Sequence, residues 1–282
     1  MSSVLKDPIQ TDKPHVAHIM PPRTWRLLCA SDLGPRSDRA VHRAALLARQ
    51  MGAEVLFVHV VSDRQAERVM YLKANRARTR LALQAERAMA HAPDAFRVEI
   101  HLGKPLKVIA DLAKEWQADM IVLAAPISRR YEKLLGTTAE RIIRSVSCPV
   151  LMVHREPTAD YSQIAVATDL SMTSVRAARV ISKMGLLNGA CTWFVHAFAP
   201  PTDVVADEAK TAEQLDGLTE RWQQLVSAQL SPDLTASGFD LSQVRIVAEP
   251  ARPLDAIEQI SERLQPELLV IGTSRWFMLK RM

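Results

Sequence analysis

Short apolar runs alternate with longer amphipathic segments along this chain. The runs have the length of strands, are rich in Val, Ile and Leu, and in the first half read LLCAS, VLFVHVV, FRVEI, MIVLAA and PVLMVH. The segments between them have a helical period, as at Ala40, Ala44 and Leu47, and Gly52 stands where a helix would stop. Apolar strands separated by helices predict a parallel sheet covered on both faces and joined by right-handed crossovers.

The second half of the chain repeats the first. CASDLGPRSDRAVHRAALL aligns without a gap with VATDLSMTSVRAARVISKM, which pairs Asp32 with Asp169 at an offset of 137 residues (169 − 32). Further along, DMIVLAAP aligns with ELLVIGTS and pairs Asp119 with Glu267 at an offset of 148 residues (267 − 119). Two blocks in the same order indicate a duplicated domain with an insertion between the blocks.

The repeat predicts an α/β protein with two tandem doubly wound parallel sheets. A polar, flexible tail is expected over residues 1–24, a first domain with five strands and four helices over 25–155, and a second domain over 162–282. The second domain stops after its fourth strand, so we expect it to lack the last helix and the last strand. Its fourth strand would then be an exposed apolar edge, which predicts lower stability or pairing with another strand.

The charge is unevenly distributed along the chain. The formal net charge is +5, and much of the excess lies over residues 64–87, a helix-like segment with many arginines. Such a face can attract nucleic acid through its phosphates. A solvated helix face explains the arginines equally well because no aromatic ladder accompanies them, and the matching stretch 203–230 is acidic. Nucleic acid is therefore not the expected partner.

Composition also bears on the compartment. No apolar run approaches the length of about 18 residues that spans a bilayer, and the N-terminal stretch lacks the apolar region of a secretory signal. The three cysteines Cys29, Cys148 and Cys191 are far apart and form no CxxC pair. This pattern excludes a disulfide framework and a cysteine-based zinc site and predicts a cytoplasmic protein without a membrane partner.

Four features, in the same order in both halves, resemble the universal stress protein family and its tandem class. They are a first strand ending in Ser-Asp or Thr-Asp, a second strand ending in VHV, a G-x-P before the third helix, and a fourth strand that runs into a glycine loop. The resemblance implies flavodoxin-like, Rossmann-like sheets of strand order 3-2-1-4-5. In such a sheet a ligand binds at the carboxyl ends of the first and fourth strands, where the strand order reverses.

The resemblance also implies an adenine-nucleotide site in the first domain. Family members that bind nucleotide carry G-x-x-G, nine residues, then G-[ST] after the fourth strand, and their first-strand aspartate accepts a hydrogen bond from the adenine edge. The corresponding residues here are Asp32, Val60, Gly136, Thr137 and Thr138. An alternative explanation for the two threonines is a capping box, with Thr137 as N-cap of the helix that follows.

The glycine loop of the first domain departs from the family pattern. Ala124, Ala125 and Pro126 stand where the loop would begin. Proline has no N–H and alanine disfavours positive φ, so part of the phosphate cradle is missing. Arg129, Arg130 and Lys133 are cations that can attract an anion in compensation, or they are simply solvent-facing residues.

The second domain keeps a different part of the site. Asp169 matches Asp32, and Gly272 with Thr273 resembles the start of the family's glycine loop. The closing G-[ST] would fall at positions 284 and 285, beyond the last residue, 282. An aspartate that ends a strand also serves as a turn or N-cap residue, so a purely structural role for Asp32 and Asp169 remains the alternative.

No catalytic constellation emerges from the sequence. The loops after the first strands, SDLGPRSD and TDLSMTSV, lack the glycine pair of PP-loop ATPases, and the stretch HLGK at 101–104 has only one of the two histidines of an HxGH motif. His59 and His196 lie inside apolar runs and are interpreted as buried strand-end histidines.

We therefore expect a non-catalytic stress-response protein that binds ATP or AMP weakly, as a regulatory ligand. An interaction module that has lost nucleotide binding and works through pairing of its two domains or as a homodimer is the alternative. An ATP-using enzyme of a related α/β superfamily is a third, less favoured reading.

Overall fold

The computed structural model describes residues 24–64, 66–125, 138–199 and 211–272, without the side chains of 138–140 and 211–214. Its first half is a five-stranded parallel sheet of order β3-β2-β1-β4-β5 with helices between the strands. The elements are β1 (Arg26–Ala30), α1 (Ser37–Met51), β2 (Glu54–Val61), α2 (Glu67–Ala88), β3 (Phe96–Leu102), α3 (Pro105–Glu115), β4 (Met120–Ala124), α4 (Thr138–Ser145) and β5 (Val150–Val153). The predicted strand order is confirmed in this half.

The second half has the same architecture, with four parallel strands in the order β8-β7-β6-β9 among the residues described. Its elements are β6 (Gln163–Thr168), α5 (Met172–Lys183), β7 (Cys191–Phe198), α6 (Thr211–Ala236), a 3₁₀ turn (Leu241–Gln243), β8 (Val244–Pro250), α7 (Pro253–Leu264) and β9 (Leu268–Ile271). These strands correspond to the first four of the other sheet. Two tandem doubly wound α/β units are therefore confirmed.

The strand registers reproduce the offsets of the sequence alignment. Leu27 lies opposite Val55 in β2 and Met120 in β4. Ile164, 137 residues after Leu27, lies opposite Thr192 in β7 and Leu268 in β9. Thr192 again lies 137 residues beyond its counterpart, whereas Leu268 lies 148 beyond. The extra residues of the second half consequently fall between β7 and β8, in the segment that contains α6.

Successive residues of each central strand enter different cores, as expected for a sheet with helices on both faces. Leu27 and Cys29 are fully buried with residues of α1 and α2, whereas Leu28 is fully buried on the other face with residues of α3. Burial raises the pKa of the Cys29 thiol far above its usual value, so this cysteine is a structural residue. Gly52 ends α1 in the left-handed conformation with φ 62°, and its predicted role as helix stop is confirmed.

Helix α1 also contacts the segment that joins the two sheets. The buried Arg43 donates a hydrogen bond from Nη1 to the Ala159 carbonyl at 2.9 Å, and its guanidinium carbon lies 4.0 Å from the centroid of the Tyr161 ring. One helical repeat further on, Gln50 donates from Nε2 to the Gly185 carbonyl, just beyond α5, at 3.2 Å. A stripe of polar side chains on α1 thus holds the linker and the nearest turn of the second unit.

Candidate functional site

The loop between β1 and α1 is closed by its own side chains. Asp32 accepts hydrogen bonds at Oδ1 from the Gly34 N–H, at 2.8 Å, and from the Ser37 hydroxyl, whose oxygen in turn accepts from the Asp32 N–H at 3.0 Å. The bond from the Ser37 hydroxyl lowers the pKa of Asp32 below its usual value. Asp32 is therefore ionised at neutral pH, and its second oxygen, Oδ2, accepts none of the hydrogen bonds found among the described residues.

The loop between β6 and α5 is built in the same way. The Ser171 N–H donates to Oδ1 of Asp169 at 3.0 Å, and the hydroxyls of Thr168 and Ser174 lie 2.9 Å apart. Burial alone would raise the pKa of Asp169, but the hydrogen bonds from Ser171 outweigh it and lower the pKa below its usual value. Both aspartates are thus negatively charged turn residues at the carboxyl end of the first strand of their sheet.

A histidine at the end of the second strand is oriented identically in the two units. Nδ1 of His59 lies 2.8 Å from the Ser31 carbonyl, and Nδ1 of His196 lies 3.0 Å from the Thr168 carbonyl. A carbonyl can only accept, so Nδ1 carries the proton and Nε2 of the neutral ring is an acceptor. Both side chains are half-buried, rather than buried as the apolar surroundings in the sequence suggested. Each imidazole thereby bridges the two central strands of its sheet.

The first unit has a pocket of about 350 Å³ at these strand ends. Its floor includes Asp32, His59 and Val60. The structure therefore brings together two of the predicted site residues, Asp32 and Val60, and adds His59. The pocket lies on the β1–β2 side of the sheet; the loop after β4, which borders the other side of the crevice, falls largely outside the described residues.

The wall of this pocket is helix α2. Lys73, Arg76 and Arg80 line it with their cationic side chains, and the small side chain of Ala77 leaves room between them and the floor. Nη2 of Arg80 donates to the Leu33 carbonyl at 3.1 Å, which ties the helix to the loop of Asp32. The sequence had suggested only a solvated helix face here. The signal that distinguishes a pocket wall is the spacing i, i+3, i+7, which places the three cations on one side of the helix.

The corresponding place in the second unit is filled. The indole of Trp222, on α6, stacks on Phe198 with ring centroids 5.3 Å apart, and its centroid lies 5.6 Å from that of His196. His196 and Phe198 are the counterparts of His59 and Val61, which line the pocket of the first unit. An aromatic stack thus occupies, above β7, the space that is open above β2.

The ends of the fourth strands are used by the fold. The N–H of Ala125 donates to the Val153 carbonyl at 2.9 Å, so this group is engaged by the edge strand β5. Gly272, which follows β9, lies so close to α5 that a Cβ added to it would be 2.8 Å from the Thr173 carbonyl oxygen and 2.9 Å from the Ser174 Cα. Close packing of strand end and helix therefore requires a glycine there, with or without a ligand.

The remaining predicted residues carry no geometry that bears on a ligand. Gly136, Thr137 and Thr273 lie outside the described residues, as do Pro126, Arg129, Arg130 and Lys133. Thr138 is the first residue of α4, with only its backbone described. Asp169 belongs to the second sheet and does not line the pocket that contains Asp32.

Two further searches cover the part of the chain that the structure describes. Within those residues, no group of three or more His, Cys, Asp or Glu side chains is arranged to hold a metal ion. Nor does any helix in the described ranges have both the length and the apolar character needed to cross a membrane.

The fold and its paired loops define a tandem α/β protein in which each unit presents an aspartate and a histidine at the ends of its two central strands. The chain belongs to the universal stress protein family, because the model of that family matches residues 25–154 and again residues 160–282.

Known proteins agree with this assignment. Universal stress protein A homolog 1 of Coxiella burnetii is 27% identical over 136 residues, which cover 45% of this chain and 94% of the relative. The crystal structure of a universal stress protein from Archaeoglobus fulgidus covers 90% of this chain and 88% of its own, with a TM-score of 0.61 at 18% identity, and so shares the fold over both units. A universal stress protein solved in complex with cAMP covers 46% of this chain and 97% of its own at 22% identity, with a TM-score of 0.39, which is too low to bear on the ligand of this chain.

Proposed function

We propose that this chain is a non-catalytic regulatory protein that binds an adenine nucleotide in its first unit. The observation that supports the proposal is the pocket above β1 and β2, which has Asp32, His59 and Val60 in its floor. Membership of the universal stress protein family supports the same choice of ligand, since nucleotide-binding members place the base at this strand end. ATP and AMP are the ligands proposed, with weak affinity.

The chemistry of the floor suits an adenine edge. Adenine presents an amino group that donates hydrogen bonds beside ring nitrogens that accept them. Oδ2 of the ionised Asp32 is available to accept from such an amino group, since Oδ1 already serves the loop. Val60 adds an apolar surface for the ring.

A second candidate function is an interaction module without nucleotide, acting through pairing of its units or as a homodimer. Two observations favour it. The Ala125 N–H, which follows β4, is engaged by Val153, and the place above β7 in the second unit is filled by Trp222. Both features are what a chain that binds no nucleotide would have. ATP turnover in the presence of a second substrate would favour the enzyme alternative instead.

Isothermal titration of the full chain with ATP, AMP and adenosine tests the proposal. Asp32→Asn keeps an oxygen for Gly34 and Ser37 but can replace the free acceptor by a donor, so the loop survives and the amino group of adenine loses its partner. A hydrogen bond to a charged group contributes about 1.5–3 kcal/mol, so we expect affinity for all three ligands to fall by about tenfold or more.

Asp169→Asn is the matched control, because it makes the same change at the same place of the repeat. Its affinities should equal those of the unmodified chain. Equal losses in the two variants, or no binding by the unmodified chain, would contradict nucleotide binding in the first unit and favour the interaction module.

A further inference from the structure

The cations of α2 form a stripe with few competing charges. Lys73, Arg76 and Arg80 occupy positions i, i+3 and i+7, so they span about 10 Å of the helix axis along one side. The buried residues Ala77 and Leu81 hold the adjacent side of the helix against the sheet. No ion pair is recorded for the three cations among the described residues, and the only carboxylate that lines the pocket is that of Asp32.

The second unit lacks this stripe. Its helix α6 is anchored by Val226, Leu230 and Leu234, which correspond to the buried Ala77, Leu81 and Ala85 of α2 at a constant offset of 149 residues (226 − 77). The same offset places Trp222, Leu225 and Gln229 where α2 has Lys73, Arg76 and Arg80. The three cations are therefore particular to the helix that faces an open pocket, whereas an indole fills the corresponding place in the other unit.

A stripe of this kind suits a ligand with more than one phosphate. Lysine interacts with phosphate as a point charge and arginine through a planar fork of donors. A monophosphate is too short to contact cations distributed over three turns of a helix, whereas a chain of two or three phosphates can follow them. The stripe begins beside Asp32, where the proposed function places the base, since Arg80 contacts the Leu33 carbonyl.

We infer that the stripe formed by Lys73, Arg76 and Arg80 binds the phosphates of a nucleoside di- or triphosphate in the first unit. The phosphate contacts are then supplied by helix α2, on the β2 side of the pocket. This inference rests on the proposed function, because the base at Asp32 directs the phosphates along α2. It predicts that ATP binds more tightly than AMP and adenosine, and that the difference decreases with added salt.

The test compares two double variants that remove the same charge from the same helix. Lys73→Gln with Arg76→Gln removes two cations of the stripe but leaves the Arg80 contact with the loop. Arg78→Gln with Arg87→Gln removes two exposed cations that do not line the pocket. All four positions are exposed on a helix and glutamine is a good helix former, so both proteins are expected to fold.

Titrations with ATP, adenosine and tripolyphosphate then separate the outcomes. We expect the stripe variant to lose about tenfold in affinity for ATP, as two solvent-exposed contacts with phosphate would give, and to keep its affinity for adenosine. The control variant should bind ATP within about twofold of the unmodified chain, because its charges act only through screened, long-range fields.

The inference and the proposed function fail in different ways. Equal losses of ATP affinity in both variants, or an oligonucleotide that binds tightly and depends equally on both pairs of cations, would overturn the stripe alone. Binding of tripolyphosphate that needs the stripe, without binding of adenosine or any effect of Asp32→Asn, would overturn the adenine site and support the stripe as a phosphate site. Absence of binding by every ligand would overturn both.

Discussion

Leu33 and Leu170 occupy the same strained position in the two units. Their φ angles are 60° and 61°, in the left-handed region that residues with a Cβ rarely adopt. The hydroxyl of Ser31 accepts from the Leu33 N–H at 3.0 Å, and that of Thr168 accepts from the Leu170 N–H at 3.0 Å. Strain of about 1 kcal/mol per turn is offset by these bonds. The tight turn presents each preceding aspartate at the strand end, which gives the recurrence of Ser-Asp-Leu and Thr-Asp-Leu a structural cause.

A single glycine shows how packing and ligand binding make the same demand on a sequence. Gly272→Ala places a Cβ against backbone atoms of Thr173 and Ser174, which cannot move without shifting α5. We expect a loss of about 1–3 kcal/mol in the free energy of unfolding, measured by urea denaturation.

Gly217→Ala is the control for that variant. Gly217 lies in α6 with nothing within 4 Å of an added Cβ, so alanine should leave stability unchanged or raise it by up to about 1 kcal/mol. A Gly272→Ala protein as stable as the unmodified chain would contradict the close packing of strand end and helix. Glycine at position 272 is thus explained by packing, while its predicted role in binding nucleotide stays a prediction.

At the scale of elements, the linker between the units is held by α1. Arg43→Met keeps the length and apolar stem of the side chain but removes the stack on Tyr161 and the donor to the Ala159 carbonyl. We expect residues 155–161 to be freed, so that limited trypsin digestion cleaves after the exposed Arg155 several-fold faster.

The control for the linker experiment is Arg87→Met, an exposed arginine of α2 away from the junction. It should leave the rate of cleavage after Arg155 unchanged. The same rate in the Arg43→Met protein and in the unmodified chain would show that the linker is ordered by contacts other than those of Arg43.

Element by element, the strands were the most predictable part of this fold. Their apolar runs are short and bounded, and duplication supplied an internal alignment that the strand registers reproduce residue by residue. Helix α2 was less predictable, because the pattern of Ala77, Leu81 and Ala85 identifies the buried side but not what the neighbouring side faces. That face became a pocket wall only once β2 was placed beneath it.

Across the whole molecule, two units with one architecture differ in what lies above their second strand. The first has an open pocket with a basic wall, and the second has the stack of Trp222 on Phe198. The sequence could pair His59 with His196, but it could not show that an indole from a distant helix covers one of them. The contact joins residues far apart in the chain, and no local pattern encodes it.

Hydrogen–deuterium exchange of the full chain, with and without ATP, tests this asymmetry most directly. The account predicts slower exchange in residues 31–37, at the end of β2 and in the first half of α2, with no change in residues 168–174 or at the end of β7. Protection confined to the second unit, or unchanged exchange at a saturating ATP concentration, would contradict it.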